Sequence, residues 1–144
     1  ADEDVLGGTI GDDLIAGFAG NDTLHGGNGS DTLIGGQGDD LVTGGEGADR
    51  FDFQSTADSQ DTITDFTPGL LGDKLDIHDV LIGYNAAARA SFVQLFTSPG
   101  SNSTTVLVDA DGPGSAYSPV ALATLSGVTG LLLDNLLQDG NLVV

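Results

Sequence analysis

The chain has 144 residues and a formal net charge of −19, from three basic residues (Arg50, Lys74, Arg89) against 22 acids. That length accommodates one domain, or a small repeat module joined to a compact partner, and excludes two full-sized domains. So acidic a chain excludes nucleic acid and stable membrane insertion as partners, since nucleic acid and anionic lipid both select cationic surface.

The kind of acid is informative. Of the 22 acids 20 are Asp, and only Glu3 and Glu46 are Glu. Asp has the short side chain that suits a carboxylate held rigidly among backbone carbonyls, and calcium takes roughly six to eight such oxygens. Hydrophobic residues make up 39% of the chain, too many for an acidic disordered tail. There is no cysteine, which rules out a disulfide framework or a thiolate metal site. No apolar run reaches the roughly 18 residues of a membrane span. The acidic start Ala1-Asp2-Glu3-Asp4 is the opposite of a basic secretory leader, so any export address is expected elsewhere than at this start, and a larger parent protein is expected.

From Gly8 to Asp52 the chain repeats every nine residues, in five copies. Gly8-Thr-Ile-Gly-Asp-Asp-Leu-Ile-Ala16 is followed by Gly17-Phe-Ala-Gly-Asn-Asp-Thr-Leu-His25 and Gly26-Gly-Asn-Gly-Ser-Asp-Thr-Leu-Ile34. Gly35-Gly-Gln-Gly-Asp-Asp-Leu-Val-Thr43 and Gly44-Gly-Glu-Gly-Ala-Asp-Arg-Phe-Asp52 complete the array. Position six is always Asp (Asp13, Asp22, Asp31, Asp40, Asp49) and position eight always apolar (Ile15, Leu24, Leu33, Val42, Phe51). One step further back, Asp4 and Leu6 keep the register without the glycines.

Glycines at positions one, two and four permit positive φ and close backbone approach, so the spacing predicts a six-residue turn followed by a three-residue strand with one buried side chain. Two nonapeptides build one coil, and turns of odd and even copies stack on opposite edges of a right-handed parallel β-roll. Each calcium ion then lies between turns 18 residues apart. Five buried apolar side chains cannot offset the ordering of a glycine-rich segment whose stacked aspartates repel, so the roll is expected to need the metal to fold.

The segment resembles the RTX (repeats-in-toxin) nonapeptide Gly-Gly-x-Gly-x-Asp-x-U-x, a calcium-binding β-roll motif. The resemblance implies that one turn supplies the carbonyls of positions one and three with its Asp, and the facing turn those of positions two and four with its own. Carried over, it implies at least three calcium ions: one on Gly8, Ile10, Asp13, Gly27, Gly29 and Asp31; a second on Gly17, Ala19, Asp22, Gly36, Gly38 and Asp40; a third on Gly26, Asn28, Asp31, Gly45, Gly47 and Asp49. Thr9 and Phe18 replace the second glycine, at positions this assignment leaves without a ligand role.

After Asp52 the period stops, and residues 53–144 are expected to form an antiparallel, β-rich cap on an all-β protein whose roll occupies 1–52. Strands are predicted at Asp61–Phe66, Lys74–Ile77, Phe92–Phe96, Thr104–Val108 and Val120–Leu125, with short helices over Asn85–Ala90 and Leu131–Leu137. The succession Asp-Thr-Ile-Thr-Asp-Phe66, then Asp73-Lys-Leu-Asp-Ile-His-Asp-Val-Leu81, is similar to the C-terminal target domain of type I secreted RTX proteins, large bacterial surface adhesins above all. That resemblance implies export through a type I secretion transporter, a secreted or cell-surface location on a Gram-negative bacterium, and a monomeric module that is not an enzyme.

Other chemistry is poorly supported. Asp109-Ala-Asp-Gly-Pro-Gly114 begins like an EF-hand loop, but Pro113 and Val120 occupy ligand positions, so a hairpin turn is expected. His25 and His78 fit no zinc-protease motif and are expected to be solvated. Asp61, Asp65, Asp73, Asp76 and Asp79 read as an acidic face or an extra calcium site. Two alternatives stand beside the adhesin module: the C-terminal module of a secreted enzyme, either a serralysin-type protease or an alginate epimerase, and a ligand- or ice-binding surface. Thr23, Thr32 and Thr43 make a weak array for the latter.

Overall fold

The computed structural model describes residues 2–56, 60–81, 92–111 and 118–144. In chain order the strands are β1 (Val5–Gly7), β2 (Leu14–Ala19), β3 (Thr23–Asn28), β4 (Thr32–Gln37), β5 (Leu41–Glu46), β6 (Arg50–Asp52), β7 (Asp61–Ile63), β8 (Lys74–Asp76), β9 (Val93–Phe96), β10 (Ser103–Val108), β11 (Val120–Ser126) and β12 (Leu142–Val143), with one helix α1 (Leu133–Asp139) before β12. They form two sheets, ordered β1-β3-β5-β7-β11-β10-β9 and β12-β8-β6-β4-β2.

From β1 to β8 odd strands lie in one sheet and even strands in the other, because each turn carries the chain across the roll. Pairing is parallel with partners 18 residues apart, as in Leu24↔Val42 and Leu33↔Phe51. The all-β parallel roll read from the repeat is therefore present. Its full strands are six residues long rather than three, because positions one to three keep pairing, as in Gly27↔Gly45. Position eight supplies the core: Leu24, Leu33, Val42 and Phe51 are buried, with Ile15 packed against them.

The expectation of an antiparallel cap holds only for β9, β10 and β11. β7 and β8 add parallel to the roll, on β5 and β6, and β12 extends the same sheet from β8. The sheets thus run through Asp52 without interruption. The reason lies in side chains the glycine period conceals. Asp61-Thr-Ile63 and Asp73-Lys-Leu75 repeat positions six to eight, and Ile63 and Leu75 bury like the leucines below them. Their partners are 21 and 24 residues away, Leu41↔Thr62 and Arg50↔Lys74, so longer turns hide the repeat from a nine-residue search.

α1 starts two residues later than expected and ends at Gly140, whose φ of 77° and N–H bond to the Leu136 carbonyl give a left-handed C-cap. Asn141, buried beside it, fastens the C-terminal segment to the turn before β8. Its Nδ2 donates to the carbonyls of Gly69 at 2.9 Å and Asp73 at 2.7 Å, and its Oδ1 accepts from Gly69 N–H at 2.8 Å. On the outer face Arg50 of β6 pairs with Asp76 of β8, and His78 reaches Asp76 and Asp79 at 3.0 Å each. His78 is thus exposed but engaged, whereas His25 is simply exposed. The expected helix over 85–90 lies outside the described residues.

Candidate metal centres

Turns stacked 18 residues apart bring the position-six aspartates into two columns. The backbone N–H of each aspartate donates to Oδ1 of the next one up: Asp13 to Asp31 at 2.8 Å, Asp31 to Asp49 at 2.9 Å, and Asp22 to Asp40 at 2.7 Å. Asp22, Asp31, Asp40 and Asp49 are no more than 2% exposed.

The second oxygen behaves differently. Oδ2 of Asp22, Asp31 and Asp49 is buried and accepts no hydrogen bond. It lies over the position-one glycine of its own turn, where a methyl group on Gly17, Gly26 or Gly44 would collide with it. At Gly26 the same methyl would also strike the carbonyl oxygen of Gly44 one rung up, and at Gly17 that of Gly35. A buried carboxylate oxygen facing a carbonyl oxygen with no donor between them is costly alone and suited to a hard cation. Among the described residues no three carboxylate or imidazole side chains converge on one point. An ion here is held by paired carboxylates and main-chain carbonyls, a donor set that calcium accepts.

The directions of those carbonyls follow from the register. Along a parallel strand successive carbonyls alternate between the two neighbours. Position-two oxygens point up the stack, Thr9 at Gly27 and Gly27 at Gly45, and so do position-four oxygens, Gly29 at Gly47. Position-one oxygens point down, Gly26 at Gly8 and Gly44 at Gly26. Position-three oxygens also face down, accepting the position-four N–H beneath: Gly11 to Asn28 at 2.6 Å, Gly20 to Gln37 at 2.9 Å, Gly29 to Glu46 at 2.8 Å.

The gap between the Asp31 and Asp49 turns is therefore lined by Gly27 and Gly29 from below and by Gly44 and Glu46 from above. By these directions the carbonyls of Thr9, Gly11, Gly26 and Asn28 line the first gap with Asp13 and Asp31, and those of Phe18, Gly20, Gly35 and Gln37 line the even gap with Asp22 and Asp40. The assignment implied by the repeat family divides the carbonyls with the opposite parity: Gly8, Ile10, Gly27 and Gly29 on the first ion, Gly17, Ala19, Gly36 and Gly38 on the second, and Gly26, Asn28, Gly45 and Gly47 on the third. Thr9 and Phe18 thereby stand where their carbonyls line a gap, and Phe18 takes a φ of 71° to do so.

Two residues of the column were not assigned to it from sequence. Asp40 N–H donates to Asp61 Oδ1 at 3.0 Å and Asp49 N–H to Asp73 Oδ1 at 2.9 Å, so both ladders continue into the cap. Asp61, Asp73 and Asp76 are buried rather than forming an acidic face. At the two ends of the odd column a threonine closes Oδ2. Thr9 donates to Asp13 from N at 2.6 Å and Oγ1 at 3.0 Å, and Thr67 to Asp73 from N at 2.7 Å and Oγ1 at 3.0 Å. Burial, outweighing the hydrogen bond from Asp31 N–H, pushes the Asp49 carboxyl up to about 6, with Asp73, Asp31 and Asp65 adding repulsion. Asp109 is buried at the end of β10, and most of the EF-hand-like loop beyond it lies outside the described residues.

Comparison with known proteins bears on these turns. The family of RTX calcium-binding nonapeptide repeats (4 copies) matches at residues 1–33 and 25–59. The solution structure of the AlgE6R3 subunit from the Azotobacter vinelandii mannuronan C5-epimerase is 29% identical over 93% of this chain and 77% of that one, with a TM-score of 0.67. The AlgE6R2 subunit of the same enzyme is 30% identical over 91% of this chain and 89% of that one, with a TM-score of 0.58. The crystal structure of the extracellular lipase LipA from Serratia marcescens covers 95% of this chain and 20% of that one at 22% identity, with a TM-score of 0.47. No curated protein matches the chain.

Proposed function

The chain belongs to the RTX calcium-binding repeat family, and from that membership we infer that it is the calcium-folded, non-catalytic module of a larger secreted protein. Its turns bind calcium, as nonapeptide repeats of this family do. The observation that carries the reading is the row of buried, unpaired Oδ2 atoms of Asp22, Asp31 and Asp49. Without a cation these charges oppose stacking; with one between each pair of turns they cement it. The gaps described above, with their carbonyls and paired aspartates, are the proposed sites. Extracellular modules of this kind bind calcium with dissociation constants of roughly 10⁻⁴–10⁻³ M, so the chain stays open where free calcium is scarce and folds where it is abundant.

For the parent protein, the adhesin reading rests on motif order alone. Similarity to two epimerase subunits over more than nine-tenths of this chain, cap included, favours the alternative of a module carried by a secreted polysaccharide-modifying enzyme. Export through a type I transporter of a Gram-negative bacterium fits a chain threaded unfolded and closed by external calcium. Circular dichroism in chelator and in millimolar calcium tests the central claim. A large gain of β signal on adding calcium is expected, and identical spectra in the two conditions would refute it.

A further inference from the structure

We propose that the outer face of the seven-stranded sheet binds ice, through a two-row net of threonine and serine side chains centred on β7, β11 and β10. This surface lies away from the calcium gaps, and it rests on the calcium reading only in needing the module folded.

Sheet register assembles the net. Thr62 of β7 pairs with Thr124 of β11, and Thr124 with Thr105 of β10. The second row lies two residues along: Ser126 pairs with Ser103, and Thr64 stands one place beyond the pair Ile63 and Leu125. All six side chains are half-buried, while Ile63, Leu125 and Thr104 between them are fully buried, so the six point outward. Thr43 extends the second row onto β5, its hydroxyl 2.8 Å from that of Thr64. Neighbouring strands lie about 4.8 Å apart, and alternate residues about 7 Å apart along a strand, so the hydroxyls mark out a net of those dimensions.

Charge singles out this face. In a chain of net charge −19, no Asp, Glu, Lys or Arg occupies positions seven or nine of β3, β5 or β7, or the facing places of β11 and β10. The same two positions on the other sheet hold Arg50, Asp52, Lys74 and Asp76. A charged group gives up its hydration shell only at a cost, whereas a neutral hydroxyl exchanges one water for another almost freely. An uncharged net that repeats in two directions matches a partner that does the same, and the oxygen layers of ice repeat on this scale. A glycan chain would engage one row and an aromatic platform, but the exposed aromatic of this sheet, Phe96, lies at its margin beside Thr105.

Threonine suits such a partner because its branched side chain holds few rotamers, so hydroxyl and methyl are fixed before contact and little entropy is lost on binding. Gln60 Nε2 steadies the net further by donating to Thr124 Oγ1 at 2.8 Å, and a hydroxyl so engaged keeps capacity for another bond. Of the threonines singled out in the sequence, Thr23 and Thr43 belong to this sheet and Thr32 to the other. The remainder of the net comes from strands outside the nonapeptides.

The test is the partition of the whole chain, folded in millimolar calcium, into ice grown slowly from a seeded solution, with circular dichroism of each variant taken first. The wild type is expected to enter the ice several-fold above an inert protein of similar size. Thr62→Lys, on the middle strand of the seven, is expected to fall to that background. Thr62→Ser should keep most of the enrichment, and Thr32→Lys, on the opposite sheet, should match the wild type. A folded wild type at background overturns the proposal alone, as does a Thr62→Lys that partitions like the wild type or a Thr32→Lys that loses as much. If Thr62→Lys does not fold, Ser126→Lys takes its place with the same expectation. A chain that gains no β signal in calcium fails at the earlier step and overturns the calcium reading and this one together.

Discussion

Asp31→Asn separates two roles of one side chain. Asn keeps an oxygen that can accept Asp13 N–H, now bonded to Oδ1 at 2.8 Å, and removes the charge from the two gaps that Asp31 borders. An ion released on unfolding makes stability depend on calcium, and each tenfold rise in free calcium adds about 1.4 kcal/mol per ion. Losing two ions lowers that slope by about 2.8 kcal/mol per decade. Asp13 borders one described gap and commits its Oδ2 to Thr9, so Asp13→Asn lowers the slope by at most half as much. Urea unfolding at a series of free calcium concentrations above roughly 10⁻³ M measures the slope directly. A line parallel to the wild type, displaced by the ~1–3 kcal/mol of a damaged buried hydrogen bond, would mean that Asp31 is a structural acceptor and not a ligand. Asp40 borders one site in the assignment implied by the repeat family, and its N–H bond to Asp61 places it mid-column like Asp31, so Asp40→Asn is expected to match Asp31→Asn.

Three further outcomes follow from the same geometry. Gly45→Ala puts a methyl group against the Gly27 carbonyl at a φ of 106° and should cost about 3 kcal/mol or more, whereas Gly7→Ala meets open space and should change stability by less than about 1 kcal/mol; chemical unfolding in saturating calcium compares them. In chelator, lowering the pH should increase residual β structure. A carboxyl raised to about 6 in the fold gives its full stabilisation below the unfolded value of about 3.9 and loses it as pH rises through 6, so a flat ellipticity between pH 7.5 and 4.5 contradicts the role given to Asp49. Removing residues 131–144 deletes β12 and the Asn141 contacts. If the segment also carries the export address, secretion of a fused passenger through a matching transporter stops, while Asp31→Asn only slows it; undiminished secretion of the deletion variant would leave the terminus a structural cap.

The roll was legible because its determinants are local and periodic. Asp at position six and an apolar residue at position eight fix both the turn column and the core, and glycine marks the turns between them. The carbonyl parity was not legible, since alternation along a strand has two phases and spacing is blind to the choice. The two added rungs were missed for a different reason. Asp61 and Ile63, and Asp73 and Leu75, carry the same chemistry as Asp40 and Val42, but their longer turns obey no fixed period. A search for Asp-x-apolar triplets, indifferent to spacing, would have found both. Asn141 was beyond reach from sequence, because its partners lie 72 and 68 residues away and nothing local marks an asparagine as a fastener.

The aspartate ladder has a direction. Every rung donates its backbone N–H to a carboxylate on the C-terminal side, from Asp4 to Asp22 and up to Asp49 and Asp73. A formed rung therefore presents ready acceptors to the segment preceding it in sequence, while a rung with nothing ordered above it must leave that donor buried and unanswered. Assembly of such a stack resembles growth from a seed, with the seed at β8, where β12 and Asn141 close the sheet, and growth running against the order of synthesis. Changes in the cap would then delay the onset of folding, and changes in the first repeats would shorten the finished roll without slowing its start.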